Sequence, residues 1–302
     1  MASTVTIQVP RHVAGEGDFT SLTRRALAVF HDLEKEATRF VASSPLMRSN
    51  ATPTRWHRVP PRLFEALGEA YDEYRRTRGV FDPRVVADLE SLGYDATLRF
   101  GAPEACRLAR DRDVSVRGIW APKFRRPRRE VWLGEAVELG GIGKGLAVRG
   151  ARDVLAPHWG DYLIEAGGDC FVAGLSPEGA PWRIGVEDPR GGATPLAVLA
   201  LSDRAVATSS TLRRRWRVGE EQVHHLIDPR TRRSGGAGLA SVTVVGADPA
   251  RAEVDAKVLF LAGREDVAAT ARAQQLAALW CDVEGRVNLS DAMTPYVIWE
   301  AP

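Results

Sequence analysis

The chain has 302 residues, 44% hydrophobic and 26% charged, with a formal net charge of +2. This is a globular composition, which excludes a disordered or collagen-like chain, and the near balance of charge gives no global pull toward nucleic acid or an anionic membrane. No apolar run approaches the ~20 residues that span a bilayer, and three cysteines without CxxC spacing (Cys106, Cys170, Cys281) argue against a disulfide framework or a zinc ribbon and suit a reducing compartment.

In chain order, Met1 to Val9 alternates with period two and predicts a strand. Gly15 to Asp18 predicts a turn. A helix follows, with Leu22, Leu27, Phe30, Leu33, Ala37 and Phe40 on one face. Ser43 to Thr54, rich in proline and serine, reads as loop. Pro60 and Pro61 open a second helix carrying Leu63, Phe64, Leu67, Tyr71 and Tyr74, which stops near Gly79. Phe81 to Pro83 is a turn, Arg84 to Leu92 a short helix, and Pro122 to Glu130 a basic connection. From Val131 the texture changes to short β-like runs: 131–137, 162–165, 170–173, 182–186, 196–201, 206–209, 214–218, 222–227 and 240–245. Helices are expected over 146–155, 251–262 and 265–276, and final strands near 278–282, 286–289 and 296–299. Helices early and strands later predict an α+β fold. The expected organisation is one domain over 1–302, with two intimately packed lobes divided near 122–130 as a variant.

Of the 41 basic residues only four are lysine: Lys35, Lys123, Lys144 and Lys257. Where arginine is the default cation, a retained lysine marks a place suited to a compact point charge. Lys144 lies in Glu138-Leu139-Gly140-Gly141-Ile142-Gly143-Lys144-Gly145, a glycine run entering a helix, where backbone N–H groups and an ammonium suit phosphate. It is not a Walker A loop, because Gly145 stands where Ser or Thr would hold magnesium. A structural turn fits as well. Glu165 to Asp169 reads as a Gly-Gly hairpin or as a ligand contact. Ala207 to Thr211, the arginines at 213, 214, 215 and 217, and His224 to Pro229 fit either a solvated edge or a polar pocket with an imidazole base. Glu253 and Lys257, at i and i+4, fit a surface ion pair.

Taken together and in order, these segments resemble the ApbE family, the FAD:protein FMN transferases. The resemblance covers nearly the whole chain. It rests on Met1 to Val9, Thr77-Arg78-Gly79-Val80-Phe81-Asp82-Pro83, the glycine motif 138–145, Ala166 to Asp169, Ala207 to Ser210, His225-Leu226-Ile227-Asp228-Pro229 and the helix from Ala252 to Gly263. It implies an ApbE-like α+β fold and transfer of the FMN half of FAD to a Ser or Thr hydroxyl of an acceptor flavoprotein, with release of AMP. It also implies that Val80, Phe81, Asp82, Glu138, Lys144 and Ile227 bind FAD. Gly141, through its carbonyl, and Glu253 would be magnesium ligands, and His225 the group that deprotonates the acceptor.

Two positions depart from the family at the metal. Glu253 stands for an aspartate, and Lys257 for a threonine ligand. An ammonium has no lone pair with which to ligate magnesium. Lys257 is therefore read as a second catalytic candidate, which either supplies part of the cation's charge or neutralises Glu253. Asp255 is no substitute, since two residues on it points about 200° around the helix. Arg232 replaces a glycine and Glu165 an asparagine, with Arg232 expected to perturb the turn after Asp228. The readings kept open are FAD hydrolysis to FMN and AMP, and FAD binding without catalysis. The basic clusters Lys123 to Arg129 and 213–217 fit no nucleic-acid module. Neither a secretory signal nor a lipid-attachment cysteine stands near Met1, so the expected location is cytoplasmic, although many members of the family are exported.

Overall fold

The computed structural model describes residues 4–10, 16–94, 117–212 and 214–301. Met1 to Ser3 of the expected first strand, Gly15 of the expected turn, Cys106 and Arg213 lie outside them. The helices are α1 (Glu16–Ala37), α2 (Pro45–Ala51), α3 (Pro61–Arg76), α4 (Val86–Ser91), α5 (Gly143–Leu155) and α6 (Pro249–Ala273).

Seven strands form the central sheet, in the order Val5–Gln8, Tyr162–Ala166, Asp169–Ala173, Arg204–Ser210, Leu239–Gly246, Ala277–Asp282 and Val287–Leu289. Every neighbouring pair is antiparallel. Alternation along Asp169–Ala173 sends Phe171 and Ala173 to one apolar cluster and Cys170 and Val172 to another, so the sheet is buried on both faces. The first face is covered by α1, α5 and α6, whose buried Leu22, Ala26, Phe30, Ala147, Val148, Ala151, Val254 and Leu259 join its cluster. The second is covered by a three-stranded sheet of Val297–Glu300, Ala197–Leu201 and Trp182–Val186, which adds Leu199, Leu201, Trp182 and Val186. The α+β expectation holds. No helix among the described residues is long and apolar enough to cross a membrane.

Local chemistry explains where the expected elements shift. The segment read as loop after Ser43 contains α2, because Ser44 caps it by accepting from the Met47 N–H at 3.1 Å and Pro45 sets its first turn. The expected turn at 15–18 is already helix from Glu16. The basic connection at 122–130 holds a strand, Lys123–Arg125, which pairs with Glu130–Trp132. The two helices expected beyond Arg251 are one element broken at Gly263, whose backbone leaves the helical region (φ 76, ψ 171). The run 222–227 is split between two hairpins, Glu221–His224 with Arg215–Val218 and Ile227–Asp228 with Arg233–Ser234.

Arg232 does not disrupt its turn. It adopts the left-handed conformation (φ 60), and its Nε donates to buried Asp88 at 2.9 Å, an anchor that glycine lacks.

Candidate active site

The site begins where the glycine motif enters α5. A Cβ on Gly145 would come within 2.5 Å of the Pro249 carbonyl oxygen and the Ala250 Cα. Glycine is needed there because α5 and the first turn of α6 touch backbone to backbone. Close approach also lets the Gly145 N–H donate to Glu253 Oε2 at 2.7 Å, one turn along α6. The helix terminus thus spends a donor on a protein carboxylate.

Lys144 lies between two acids. Its ammonium is 3.0 Å from Glu253 Oε1 and is ion-paired with Asp169 Oδ2. Asp169 opens the second strand of the Gly-Gly hairpin, in register with Ala166, and its Oδ1 accepts from the Thr208 N–H at 3.1 Å. The two glycines turn the chain, as the hairpin reading expects, and the acid after them holds Lys144 and lines neither arm of the cleft. Burial acts to lower the pKa of Lys144, but Asp169 and Glu253 outweigh it and hold the ammonium charged.

Glu253 is buried, so the expected surface pair with Lys257 is not what forms. Glu253 gives its ion pair to Lys144, and among the described residues none joins it to Lys257. Lys257 lies instead against Gly141, where an added Cβ would run into its Nζ and come within 3.0 Å of the Phe81 ring. Its pKa lies below the ordinary lysine value. Burial is the main cause, and Glu253 and Glu138 only partly oppose it. Asp255, on the opposite side of the helix, is paired with Arg76 at 2.6 Å, which bears out the exclusion made from helical geometry.

His225 is held by the chain before it. Its N–H donates to the Arg214 carbonyl oxygen at 3.2 Å, and its ring Nδ1 lies 3.4 Å from the same oxygen. A proton on Nδ1 directed at that carbonyl leaves the Nε2 lone pair for a substrate. Burial, then the charges of Arg214 and Lys257, push its pKa well below the ordinary value. The imidazole is neutral at physiological pH.

These groups stand at the junction of two arms of a cleft, about 140 Å³ and 300 Å³ in volume. Gly140, Lys144, Arg214, His225 and Lys257 line both. The first arm is closed by the end of α1 and the segment beyond it (Leu33, Arg39, Phe40), with Leu89, Tyr94 and Leu139. The second carries hydroxyls from Thr4, Thr208, Ser209 and Ser210, together with Gly167, Gly168 and Glu165.

Of the residues implied by the resemblance, the cleft therefore gathers Glu138, Lys144, His225, Glu253 and Lys257 at its wall, with Gly141 and Phe81 in contact with Lys257. Three lie apart from both arms. Asp82 is buried against Arg84, Ile227 packs with Val85 and Leu89, and Val80 lines a separate groove beside α6. Arg39 was not singled out by sequence reasoning. Its guanidinium carbon lies 4.4 Å from the centroids of both Phe40 and Tyr94, with Nε 3.8 Å from Glu138 Oε2. No local pattern marks it, because two of its three partners, Tyr94 and Glu138, come from far along the chain.

The donor set does not suit a hard divalent cation. Both oxygens of Glu253 and both of Asp169 are already engaged by N–H groups or by Lys144. The neighbouring position is the ammonium of Lys257, which repels a cation. No group of three or more His, Cys, Asp or Glu residues arranged to hold a metal occurs among the described residues.

Known proteins share this arrangement of elements. The ApbE protein of Thermotoga maritima superposes with a TM-score of 0.81 at 23% identity, covering 97% of this chain and 99% of that one. The flavin transferase ApbE from Vibrio cholerae superposes with 0.79 at 24%, covering 98% and 96%. At these identities the likeness speaks for the fold. In sequence, an FAD:protein FMN transferase of Rhodobacter capsulatus is 31% identical over 214 residues, which are 69% of this chain and 40% of that protein. One from Vibrio cholerae is 32% identical over 145 residues, 47% of this chain and 43% of that protein. The matches thus span less than half the length of these relatives. The model of the ApbE family matches residues 1–280, and the chain belongs to the ApbE family.

Proposed function

We propose that the protein transfers the FMN half of FAD to a serine or threonine hydroxyl of an acceptor flavoprotein, releasing AMP. The observation that carries this reading is the junction itself: a neutral, buried imidazole and two lysines meet where an apolar arm and a hydroxyl-lined arm join. A dinucleotide has that form, with a flat ring at each end and a pyrophosphate between.

In the step, the acceptor O–H gives its proton to Nε2 of His225. The oxygen bonds to the phosphorus on the FMN side, the bond from that phosphorus to the bridging oxygen breaks, and AMP leaves with the electron pair. Little covalent work falls to the protein in phosphoryl transfer, so positioning and charge dominate. Lys144, its charge met by Asp169 and Glu253, offers a fixed N–H donor, and Lys257 supplies the positive charge that no ion pair takes up.

The test is incubation with FAD and candidate acceptor proteins, read by flavin fluorescence on a denaturing gel and by AMP release. A fluorescent acceptor band with equimolar AMP is the expected result. AMP without labelled acceptor would instead identify an FAD pyrophosphatase, and bound flavin with neither product a binding protein.

A further inference from the structure

We infer that Lys257 and Arg214, beside the ion-paired Lys144, form a metal-free cationic centre for the pyrophosphate, with Lys257 in the place where the family resemblance implies a metal ligand. The inference takes its ligand from the flavin-transfer reading and adds how that ligand's charge is met.

Three observations carry it. First, the acids beside the junction are committed. Glu253 is shared between the Gly145 N–H and Lys144, and Asp169 between the Thr208 N–H and Lys144. A divalent ion would have to strip Lys144 of its partners and then sit beside an ammonium. Second, Lys257 Nζ packs on Gly141, the residue whose carbonyl would face such an ion, and among the described residues no hydrogen bond or ion pair holds this ammonium. A lysine held between backbone and ring with no acid of its own is suited to receive an anion. Third, Arg214 reaches the same junction from the segment preceding the hairpin strand Arg215–Val218. It lines both arms while its backbone carbonyl holds His225. Its planar fork can bridge two phosphate oxygens, which the compact ammonium of a lysine cannot. Lys144, Lys257 and Arg214 thus surround the one place that belongs to both arms, where the bridging oxygen of the pyrophosphate would lie.

The experiment measures FAD binding by quenching of flavin fluorescence, with EDTA and with magnesium, for the wild type and for Lys257→Met and Arg214→Gln. Riboflavin, which has the ring and no phosphate, is the control, and a thermal melt checks folding. The wild type is expected to bind FAD in EDTA with an affinity that magnesium does not improve. Each variant is expected to bind FAD about tenfold more weakly or worse while its riboflavin affinity is unchanged. If Lys257→Met fails to fold, Arg214→Gln, at a partly exposed position, reads the same centre. The inference is overturned if EDTA abolishes wild-type FAD binding and magnesium restores it, or if both folded variants bind FAD in EDTA as tightly as the wild type. Binding in EDTA without transfer to any acceptor would remove the flavin-transfer reading and leave the cationic centre standing. Transfer that requires magnesium would do the reverse.

Discussion

The two faces of the central sheet differ in what covers them, and the difference decides where chemistry can sit. The face under the second sheet is packed by Leu163, Val172, Trp182, Leu199, Val206 and Leu279, with Cys170 and Cys281 buried among them. Strands on both sides spend their backbone donors on one another, so this layer offers nothing to stabilise a buried charge. The face under the helices is as apolar at its centre, but at one edge it meets the start of α5, the first turns of α6 and the Gly-Gly hairpin. The helix end supplies a spare N–H at Gly145, which Glu253 takes, and the strand Arg204–Ser210 supplies another at Thr208, beyond the last residue it pairs with Asp169–Ala173, which Asp169 takes. Lys144 is then held by the two acids. Charge can be buried on this face because a helix end, and a strand that runs past its neighbour, have donors that no backbone partner takes.

The comparison breaks first at Lys144. Lys144→Met would leave two buried acids without their cation, and a loss of about 3–5 kcal/mol in stability is expected together with loss of FMN transfer. Urea unfolding measures the first, and a variant as stable as the wild type would show that the acids are not charge-coupled to the lysine. His225→Ala is expected to slow transfer about 10²–10⁴-fold with a far smaller effect on unfolding. The pH profile sharpens this case. Because the pKa of His225 is depressed, the base is present above that lowered value and is lost only as pH falls through it. The acid limb of the wild-type rate should therefore lie below pH 6.5, whereas a midpoint at or above 6.5 would exclude His225 as the titrating base.

On the opposite face, Leu199→Ala should cost about 2–5 kcal/mol of stability through a cavity, with the transfer rate of the folded enzyme unchanged within about twofold. A specific fall in kcat at full folding would mean that the second layer shapes the site. The smallest effect is expected at Arg78, which takes a left-handed backbone (φ 52) in the Thr77-Arg78-Gly79 turn. Arg78→Gly should raise stability by about 0.5–1 kcal/mol in a thermal melt, through relief of strain only partly offset by chain entropy.

Much of the fold was legible because local rules carried it. The double proline opened α3, β-like runs between glycine-rich turns marked the strands at 162–166, 169–173 and 239–246, and the glycine motif marked the entry to α5. The misreadings share one cause. A cap one residue long turned a supposed loop into α2, and a single glycine left a broken helix where two had been expected. At the site, types and order pointed to Lys144, His225 and Glu253, whereas partners did not follow from sequence. Glu253 and Lys257, four residues apart, suggested each other, yet the nearer approach of α5 gave Glu253 to Lys144. Arg39 carried no mark, whereas Arg214 stood in a cluster that fitted either a solvated edge or a polar pocket, and only its place in the cleft favours the pocket.

By itself the sequence determined the family, the α+β class and the identity of the charged groups, since motif order, periodicity and residue chemistry are properties of the chain. The four lysines among so many arginines already set Lys144 and Lys257 apart. Tertiary structure alone decided that Lys144 is ion-paired with two acids while Lys257 is left against Gly141 with no ion pair among the described residues. The reason is distance: the attraction of two charges depends on their separation and burial, which are fixed only when α5, α6 and the hairpin pack together.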